Sequence, residues 1–391
     1  MHSTSPAQAS DDTHPTPTRK TPSWHSTLLI FSVLAPVAIA LLIYQLDTLN
    51  PAPLPLHELT QPVAAAPKRN AHILKGSEFV GAGALVAPED VAYDPKSGLI
   101  YTGCADGWVK RVTLNDSAAD SVVENWVFTG GRPLGLAHGD DKEVYVADTE
   151  KGLLKISEEG IIELLTDEAE GVKFKLTDCV DVAEDGMIYF TDASYKYSLD
   201  EFILDILEGR PYGRFLSYNP LTKETKVLVR NLYFANGVAV SPDQNYVIFC
   251  ETVMRRCRKY YLQGSKKGSV ENFIDQLPGT PDNIRYDGEG HYWIALATDV
   301  KPYWDLALRY PFIRKVLAIV KRYAGGWPHL EKNAGVFVVN LDGEPIAHYS
   351  DPELFLITSG IKIGKYLYCG SVFYPYIIRL DLDRHPAHAT T

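Results

Sequence analysis

Four segments of the sequence begin with side chains that carry oxygen atoms. Glu89 stands in PEDVAYD, Asp178 in TDCVDV, Asn236 in ANGVAV, and the pair Asp282-Asn283 in PDNIRYD. Carboxylate and amide oxygens are the ligands that a hard cation such as Ca²⁺ prefers, and the set contains no thiol or imidazole, which disfavours zinc. Asp and Asn at such places also cap turns. Recurrence at matching positions nevertheless favours a Ca²⁺ site with these five residues as ligands.

These residues belong to a repeat that runs through the chain. Six units share an apolar strand, a polar turn with Asp or Gly, and two further strands, and they begin at Pro88, Arg132, Thr177, Ala235, Thr280 and Thr358. One such sheet cannot bury both of its faces, and stacking several sheets around an axis solves this. The sequence therefore predicts an all-β, six-bladed β-propeller over residues 74–385. Because inner strands begin near the channel, the proposed ligands should meet on its axis.

Two stretches between the repeats have helical periodicity. SLDEFILDILEGRP starts at Ser198, and PYWDLALRYPFIRKVLAIVKRY starts at Pro302. The second, over residues 302–323, is a basic amphipathic segment of the kind that lies on a membrane or covers a channel mouth. A helix that packs on a blade with its charges in solvent is the alternative.

The part of the chain before the repeats has a different composition. Residues 1–26 are rich in Ser, Thr and Pro, which predicts a disordered cytosolic tail. An apolar run from Leu28 to Tyr44 predicts a single transmembrane helix over residues 27–46. A cleaved signal peptide is the alternative. Residues 47–73 are proline-rich and predict a semi-rigid linker, after which the propeller would face the lumen or the cell exterior.

The charge of the chain indicates which partners it can bind, and its cysteines indicate the compartment in which it folds. A formal charge of −11, with the acidic residues scattered, disfavours nucleic acid. Cys250 and Cys257 stand in two strands that would set their sulfurs opposite each other, so a disulfide is expected in an oxidising lumen, with two buried thiols as the alternative. Asn115, followed by Asp116 and Ser117, begins a glycosylation sequon.

Several segments in order over residues 74–382 carry a family resemblance, among them GRPLGLAHG, DGMIYFTDAS, FANGVAVSPDQ and LPGTPDNIRYDGEGHYWIAL. The chain resembles the plant strictosidine synthase-like proteins and their adipocyte plasma membrane-associated relatives in animals. A more distant resemblance is to the calcium-binding oxygens of paraoxonase and gluconolactonase propellers, and it involves Glu89, Asp178, Asn236 and Asp282-Asn283. At the position of Asp178, those enzymes usually have Asn. The resemblance implies the propeller fold and a bound Ca²⁺.

The resemblance also implies a departure from strictosidine synthase itself. That enzyme condenses an amine with an aldehyde by means of a glutamate just before the last inner strand, where this chain has Thr358 and Ser359. Hydroxyl groups cannot exchange protons near neutral pH as a carboxylate can, so this condensation is not expected. The histidine that paraoxonase-type enzymes carry in the second unit is also missing, because residues 132–135 are Arg-Pro-Leu-Gly.

Metal-assisted hydrolysis is the enzymatic function that remains. A bound Ca²⁺ would polarise the carbonyl of a small ester or lactone, and Asp178 or Asp282 would act as the base. The alternative is a non-catalytic propeller that binds a ligand or a partner. In either case we expect a single-pass type II membrane protein of the endoplasmic reticulum, vacuole or plasma membrane.

Overall fold

The computed structural model describes residues 30–59, 62–300, 302–324 and 331–390, together with Trp24 and Leu28. The chain divides into two compact units, Met1–Thr48 and Leu49–Thr391. In the first unit, a π-helical turn (Ile30–Leu34) continues into helix α1 (Ala35–Leu46). Within the described ranges, no helix combines the length and the apolar character that crossing a membrane requires. Apart from Trp24, the predicted tail lies outside the described residues.

The second unit contains six blades, each with four antiparallel strands, and two short strands extend the sheet of blade five to six strands, which confirms the predicted six-bladed propeller. Two short strands come first, β1 (Lys68–Asn70) and β2 (Ser77–Val80). Blade one contains β3 (Ala92–Asp94), β4 (Leu99–Gly103), β5 (Trp108–Thr113) and β6 (Val122–Phe128). Blade two contains β7 (Pro133–His138), β8 (Val144–Asp148), β9 (Gly152–Ile156) and β10 (Ile162–Thr166), followed by the hairpin of β11 (Glu168–Ala169) and β12 (Val172–Lys173).

The other four blades follow in chain order. Blade three contains β13 (Thr177–Val182), β14 (Ile188–Asp192), β15 (Gly213–Asn219) and β16 (Glu224–Leu232). Blade four contains β17 (Ala235–Val240), β18 (Tyr246–Glu251), β19 (Arg256–Tyr261) and β20 (Val270–Ile274). Blade five contains β21 (Gly279–Tyr286), β22 (His291–Asp299), β23 (Gly335–Asn340) and β24 (Pro345–Ser350). Blade six contains β25 (Ile357–Ile363), β26 (Tyr366–Ser371) and β27 (Ile377–Asp381), and β28 (His388–Ala389) comes last.

Strands from both ends of the second unit close the ring. β2 is the outer, fourth strand of blade six and pairs antiparallel with β27, with Ser77 opposite Leu380. β1 lies parallel to β24 at the outer edge of blade five and also pairs with β28. The two pairings cover the edges of β27 and β24, whose backbone groups would otherwise be unpaired.

Residues 49–73, most of the segment predicted as a semi-rigid linker, belong to the second compact unit. Leu49, Leu54 and Leu59 are buried in this segment, and the Ala52 amide donates to the carbonyl of Glu208 at 2.9 Å. Proline fixes an extended backbone but does not prevent the leucines between the prolines from burying their side chains.

Both predicted insertions are helical. The segment before β1 contains the short helix α2 (Leu56–Leu59). The first insertion contains α3 (Phe202–Glu208), and the second contains α4 (Pro302–Arg309) and α5 (Pro311–Ala324). The fully buried Arg314 donates to the carbonyls of Ala307 and Leu207, each at 3.1 Å. Because Leu207 lies in the last turn of α3, this guanidinium satisfies a carbonyl at the end of that helix and joins the two insertions.

Candidate metal centre and cavity

β-bulges place the predicted ligands on three inner strands. Asp178 lies at a register shift in β13, Asn236 at one in β17, and Asp282-Asn283 at one in β21. A bulge interrupts the alternation of side chains and redirects those next to it. Glu89 comes just before β3, and its amide donates to the carbonyl of Gly103 at 3.0 Å. Four blades thus contribute polar residues at one end of their inner strands.

Two glycines allow the neighbouring inner strands to approach each other at these bulges. A Cβ atom at Gly135 would lie 2.7 Å from the carbonyl oxygen of Asp178, and one at Gly237 would lie 2.5 Å from that of Asp282. Both distances are shorter than a real side chain could tolerate, so the backbone of one blade touches the ligand residue of the next only because these positions are Gly.

The structure brings all five predicted ligands together. One carboxylate oxygen from each of Glu89, Asp178 and Asp282 lies within 4.8 Å of the other two. Asn283 donates its side-chain amide to Oε1 of Glu89 at 2.7 Å, and Asn236 hydrogen-bonds to Asp282. Each of the five side chains is at most 9 % exposed. We call these residues the carboxylate cluster.

Three oxygen atoms of the carboxylate cluster lack a hydrogen-bond partner within the described part of the chain. They are Oε2 of Glu89, Oδ1 of Asn236 and Oδ1 of Asn283. Leaving a buried acceptor unpaired costs about 1–3 kcal/mol, so three in one place point to a group that the protein binds there. The cluster offers oxygen ligands, as Ca²⁺ requires, and no sulfur or imidazole nitrogen. The residues therefore fit the predicted ion.

Burial raises the pKa of all three carboxyl groups well above their ordinary values. Neighbouring negative charges raise the pKa further, chiefly Asp90 for Glu89, Glu89 for Asp178, and Asp178 for Asp282. A bound cation acts in the opposite direction, because it favours the charged carboxylates. Protons and a divalent ion should therefore compete for the cluster.

An ion pair next to the cluster connects blades one and five inside the channel. The guanidinium of Arg285 pairs with the carboxylate of Asp90, with 3.3 Å between Nε and Oδ1, and donates to the carbonyl of Leu136 at 2.8 Å. Asp90 in turn accepts a bond from the Leu136 amide at 2.9 Å. Sequence analysis missed this pair, because the two residues are 195 positions apart and no motif marks them.

A cavity of about 110 Å³ adjoins the carboxylate cluster. Glu89, Asp178, Asn236 and Asp282 contribute to its wall, and most of the remaining lining is apolar. The helical insertions supply part of that apolar wall, through Phe202 and Ile206 of α3 and Trp304 of α4. Both insertions thus contribute side chains to the cavity wall.

Thr358 and Ser359 stand where the glutamate of strictosidine synthase is expected. Thr358 lines the cavity, but its hydroxyl donates to the backbone carbonyl of Glu89 at 2.7 Å. Ser359 is fully buried, and its hydroxyl has no partner within the described ranges. Neither side chain can replace a titrating carboxylate.

Two further carboxylates line the cavity and were missed from the sequence. Asp299 ends β22 and accepts a hydrogen bond from the Asn333 amide at 3.2 Å, and Glu331 follows the second insertion and accepts one from the hydroxyl of Tyr303 in α4. Glu331 is only 6 % exposed. Neither residue begins an inner strand, so the repeat gives no signal for them.

The remaining predicted residues lie away from the cavity. Cys250 in β18 and Cys257 in β19 are directly opposite and are joined by a disulfide. Asn115 is exposed in the loop after β5, where its side-chain amide donates to the carbonyl of Asp120 at 2.5 Å.

Comparisons with known proteins agree with the fold. Two family models match, one described as strictosidine synthase over residues 178–265 and one as strictosidine synthase-like, N-terminal, over residues 70–112. Among solved structures, a gluconolactonase from Xanthomonas campestris aligns with a TM-score of 0.56 at 15 % identity, covering 82 % of this chain and 97 % of that one. The calcium-binding protein regucalcin from Agrobacterium tumefaciens aligns with a TM-score of 0.53 at 16 % identity, covering 81 % and 95 %. At such identities the likeness shows the fold alone.

Curated relatives are much more similar in sequence. Protein STRICTOSIDINE SYNTHASE-LIKE 7 of Arabidopsis thaliana is 56 % identical, with 93 % of this chain and 97 % of the relative aligned. The adipocyte plasma membrane-associated protein of Gallus gallus is 31 % identical, with 86 % and 84 % aligned. The predicted resemblance is confirmed, and the chain belongs to the strictosidine synthase-like family.

Proposed function

We propose that the chain binds Ca²⁺ at the carboxylate cluster and hydrolyses small esters or lactones in the adjoining cavity. The meeting of Glu89, Asp178 and Asp282 within 4.8 Å beside a mainly apolar cavity carries this proposal. The names of the two structural neighbours, a gluconolactonase and a calcium-binding protein, point in the same direction. Gluconolactonase activity and calcium binding are properties of those neighbours, and biochemical measurement has to test both for this chain.

The ligands of the proposed ion are the side-chain oxygens of the carboxylate cluster. Three of these oxygens have no other partner within the described residues, and the three carboxylates supply negative charge. When bound, Ca²⁺ would supply Lewis acidity toward a carbonyl oxygen. Arg132 and Arg285 favour the charged form of Glu89 but do not outweigh its burial, and Arg285 is also paired with Asp90.

Asp178 and Asp282 are the proposed bases. Both line the cavity, and the hydrogen bond with Asn236 orients the carboxylate of Asp282. A carboxylate there can take a proton from water as the water oxygen attacks the carbonyl carbon, and that proton can pass to the oxygen of the leaving group. Glu331 lines another part of the cavity and is a further candidate for the second transfer.

The apolar wall defines the kind of substrate. Phe202, Phe234 and Trp304 line the cavity and would bind an aryl or alkyl group while excluding bulk water. We therefore expect aryl esters and alkyl-substituted lactones to be better substrates than charged esters.

Hydrolysis by the full chain tests the proposal. Turnover of a panel of aryl esters and lactones should require Ca²⁺, should be lost with a chelator, and should fall about 100-fold or more in Asp282→Asn. Asp185→Asn, in an exposed turn, is the matched control and should keep full activity. Hydrolysis that resists both the chelator and the substitutions Asp178→Asn and Asp282→Asn would exclude the mechanism.

A non-catalytic ligand-binding propeller is the second candidate. The observation in its favour is that the hydroxyl of Thr358, which stands where strictosidine synthase is expected to carry its glutamate, is already bonded to the backbone carbonyl of Glu89. Absence of turnover across the panel, combined with Ca²⁺-dependent binding of an apolar ligand, would favour this function over hydrolysis.

We also propose that residues 27–46 anchor the chain as a type II membrane protein with the propeller in the lumen or outside the cell. The apolar run from Leu28 to Tyr44, the Cys250–Cys257 disulfide and the exposed Asn115 support this location, as does the name of the chicken relative. In cells, we expect a glycan on Asn115 that an endoglycosidase removes and that the Asn115→Gln variant lacks. An unglycosylated Asn115, together with protease access from the cytosol, would contradict it.

A further inference from the structure

Helix α5 presents an apolar stripe to solvent. Phe312, Val316, Val320 and Tyr323 are spaced at i, i+4, i+8 and i+11, which places them on one side of the helix. They are 58, 45, 52 and 64 % exposed, respectively. The side of the same helix that packs on the core includes the buried Arg314 and Ala318 and the half-buried Leu317. The helix therefore carries apolar side chains toward solvent as well as toward the core, unlike an ordinary surface helix.

Helix α4 extends this apolar surface. Leu306 of α4 and Tyr310, which directly follows that helix, are 50 and 47 % exposed, although Ala307 and Leu308 of α4 are buried. Together with the stripe of α5 they form what we call the insert face, made of Leu306, Tyr310, Phe312, Val316, Val320 and Tyr323, in which the ring centroid of Tyr310 lies 6.0 Å from that of Phe312. A contiguous set of large exposed apolar side chains marks a surface that contacts another apolar body.

The charge of the second insertion identifies that body. Residues 302–324 carry five basic side chains and one acidic side chain, and without the buried Arg314 their net charge is +3, whereas the whole chain carries −11. The basic residues include Lys315 and Arg322, which flank the stripe on one side of α5, and Arg309 at the end of α4. Aromatic and aliphatic residues bordered by Lys and Arg are typical of helices that lie in the interface of an anionic bilayer.

We propose that the insert face docks on the surface of a bilayer that contains anionic lipid. Trp304 of α4 lines the cavity, whereas Leu306 in the same helix belongs to the insert face. The helix that contacts lipid on one side therefore forms part of the cavity wall on the other. Docking in this way gives apolar ligands a route between the lipid and the cavity, and it depends neither on the ion nor on hydrolysis.

A fluorescent label tests the docking in the full chain. Val316→Cys places a single accessible thiol on the insert face, since the free cysteines Cys104, Cys179 and Cys369 are buried. Val122→Cys is the matched control, because Val122 is a 60 % exposed valine on the outer strand of blade one. Each variant is labelled with an environment-sensitive fluorophore, checked for a wild-type melting temperature, and reconstituted into vesicles of phosphatidylcholine with or without phosphatidylserine.

If the insert face docks, the emission of the label at position 316 should shift to the blue in vesicles with phosphatidylserine. A lipid-attached quencher should quench this label several-fold more strongly than the label at position 122. Arg309→Gln combined with Arg322→Gln should remove most of this quenching. Equal solvent exposure of both labels in anionic vesicles would overturn the proposal, and so would an equal signal in phosphatidylcholine alone. A shift in detergent that grows with protein concentration would overturn it in favour of a second copy of the chain.

Discussion

Asn283 donates its side-chain amide to Glu89 at 2.7 Å, across 194 positions of the sequence. The bond joins blade five to the segment before blade one and leaves Oε2 of Glu89 and Oδ1 of Asn283 without partners in the described part of the chain. One interaction thus helps to hold the ring together and presents two oxygens to the proposed ion.

Replacing Asn283 with Ala should affect both stability and ion binding. The variant leaves the buried Glu89 without its donor, so we expect the free energy of unfolding to fall by about 1–3 kcal/mol and Ca²⁺ affinity to fall with it. Chemical denaturation and calorimetric titration measure the two effects. Asn272→Ala is the control, because Asn272 also bonds a carboxylate, Asp275, but does so at the exposed surface. Equal losses in the two variants would contradict the role of Asn283.

Removing Ca²⁺ should lower the melting temperature of the full chain. A ligand that binds only the folded state stabilises it by about 2.7 kcal/mol when present at 100 times its Kd. Glu89→Gln should lose most of this Ca²⁺-dependent gain, whereas Glu163→Gln, an exposed position in β10, should keep it. A melting temperature that does not respond to Ca²⁺ or to a chelator would argue against the ion site.

The Cys250–Cys257 disulfide should contribute measurably to stability. It closes a short loop with a sequence separation of 7, for which the chain-entropy estimate is roughly 2.5 kcal/mol. The Cys250→Ala, Cys257→Ala double variant should lose about that much, and a reductant should destabilise the wild type but not the variant. Titration of five free thiols in the unfolded, unreduced chain would show that the bond does not form.

Asp205 should make stability depend on pH near neutrality. Burial in α3 is the main cause that raises its pKa to about 7, and Glu208 adds to the increase, while the Ser194 hydroxyl and Lys196 oppose it. The folded state therefore binds a proton that the unfolded state, with a pKa of about 3.9, releases. This contribution to stability is complete at low pH and is lost as pH rises toward and through 7, with a slope of at most about 1.4 kcal/mol per pH unit.

Unfolding free energies between about pH 5 and 8 measure this slope. The free energy of unfolding of Asp205→Asn should change less with pH over that range than that of the wild type. The Asp200→Asn variant, at an exposed position before the same helix, should show the wild-type pH dependence. Identical profiles for the wild type and Asp205→Asn would show that Asp205 does not titrate in this window.

The repeat explains why so much of the site could be predicted. Asp178, Asn236 and Asp282 begin corresponding strands, so the symmetry of a propeller is enough to bring them to one axis. Glu331 and Asp299 reach the same cavity from an insertion and from the end of a strand, where no such symmetry applies. The sequence alone therefore yields the carboxylate cluster but only part of the cavity.

Pairing between distant segments was equally difficult to predict. β2 has no strong strand pattern of its own and forms because β27, some 300 residues later, offers an edge. The short β1 likewise depends on β24 and β28. Local sequence carries little information about such strands, since the partner provides most of their stabilisation.

The joining of β2 to β27 also has a consequence for biosynthesis. A ribosome releases residues 77–80 early and residues 377–381 near the end of translation, so the early strand must wait through the synthesis of every intervening blade. Glu89 and Asn283 come from early and late parts of the chain in the same way, so a nascent chain cannot assemble the carboxylate cluster until blade five has emerged. An ion that binds the cluster would then act at the final stage of folding, by selecting rings that have closed.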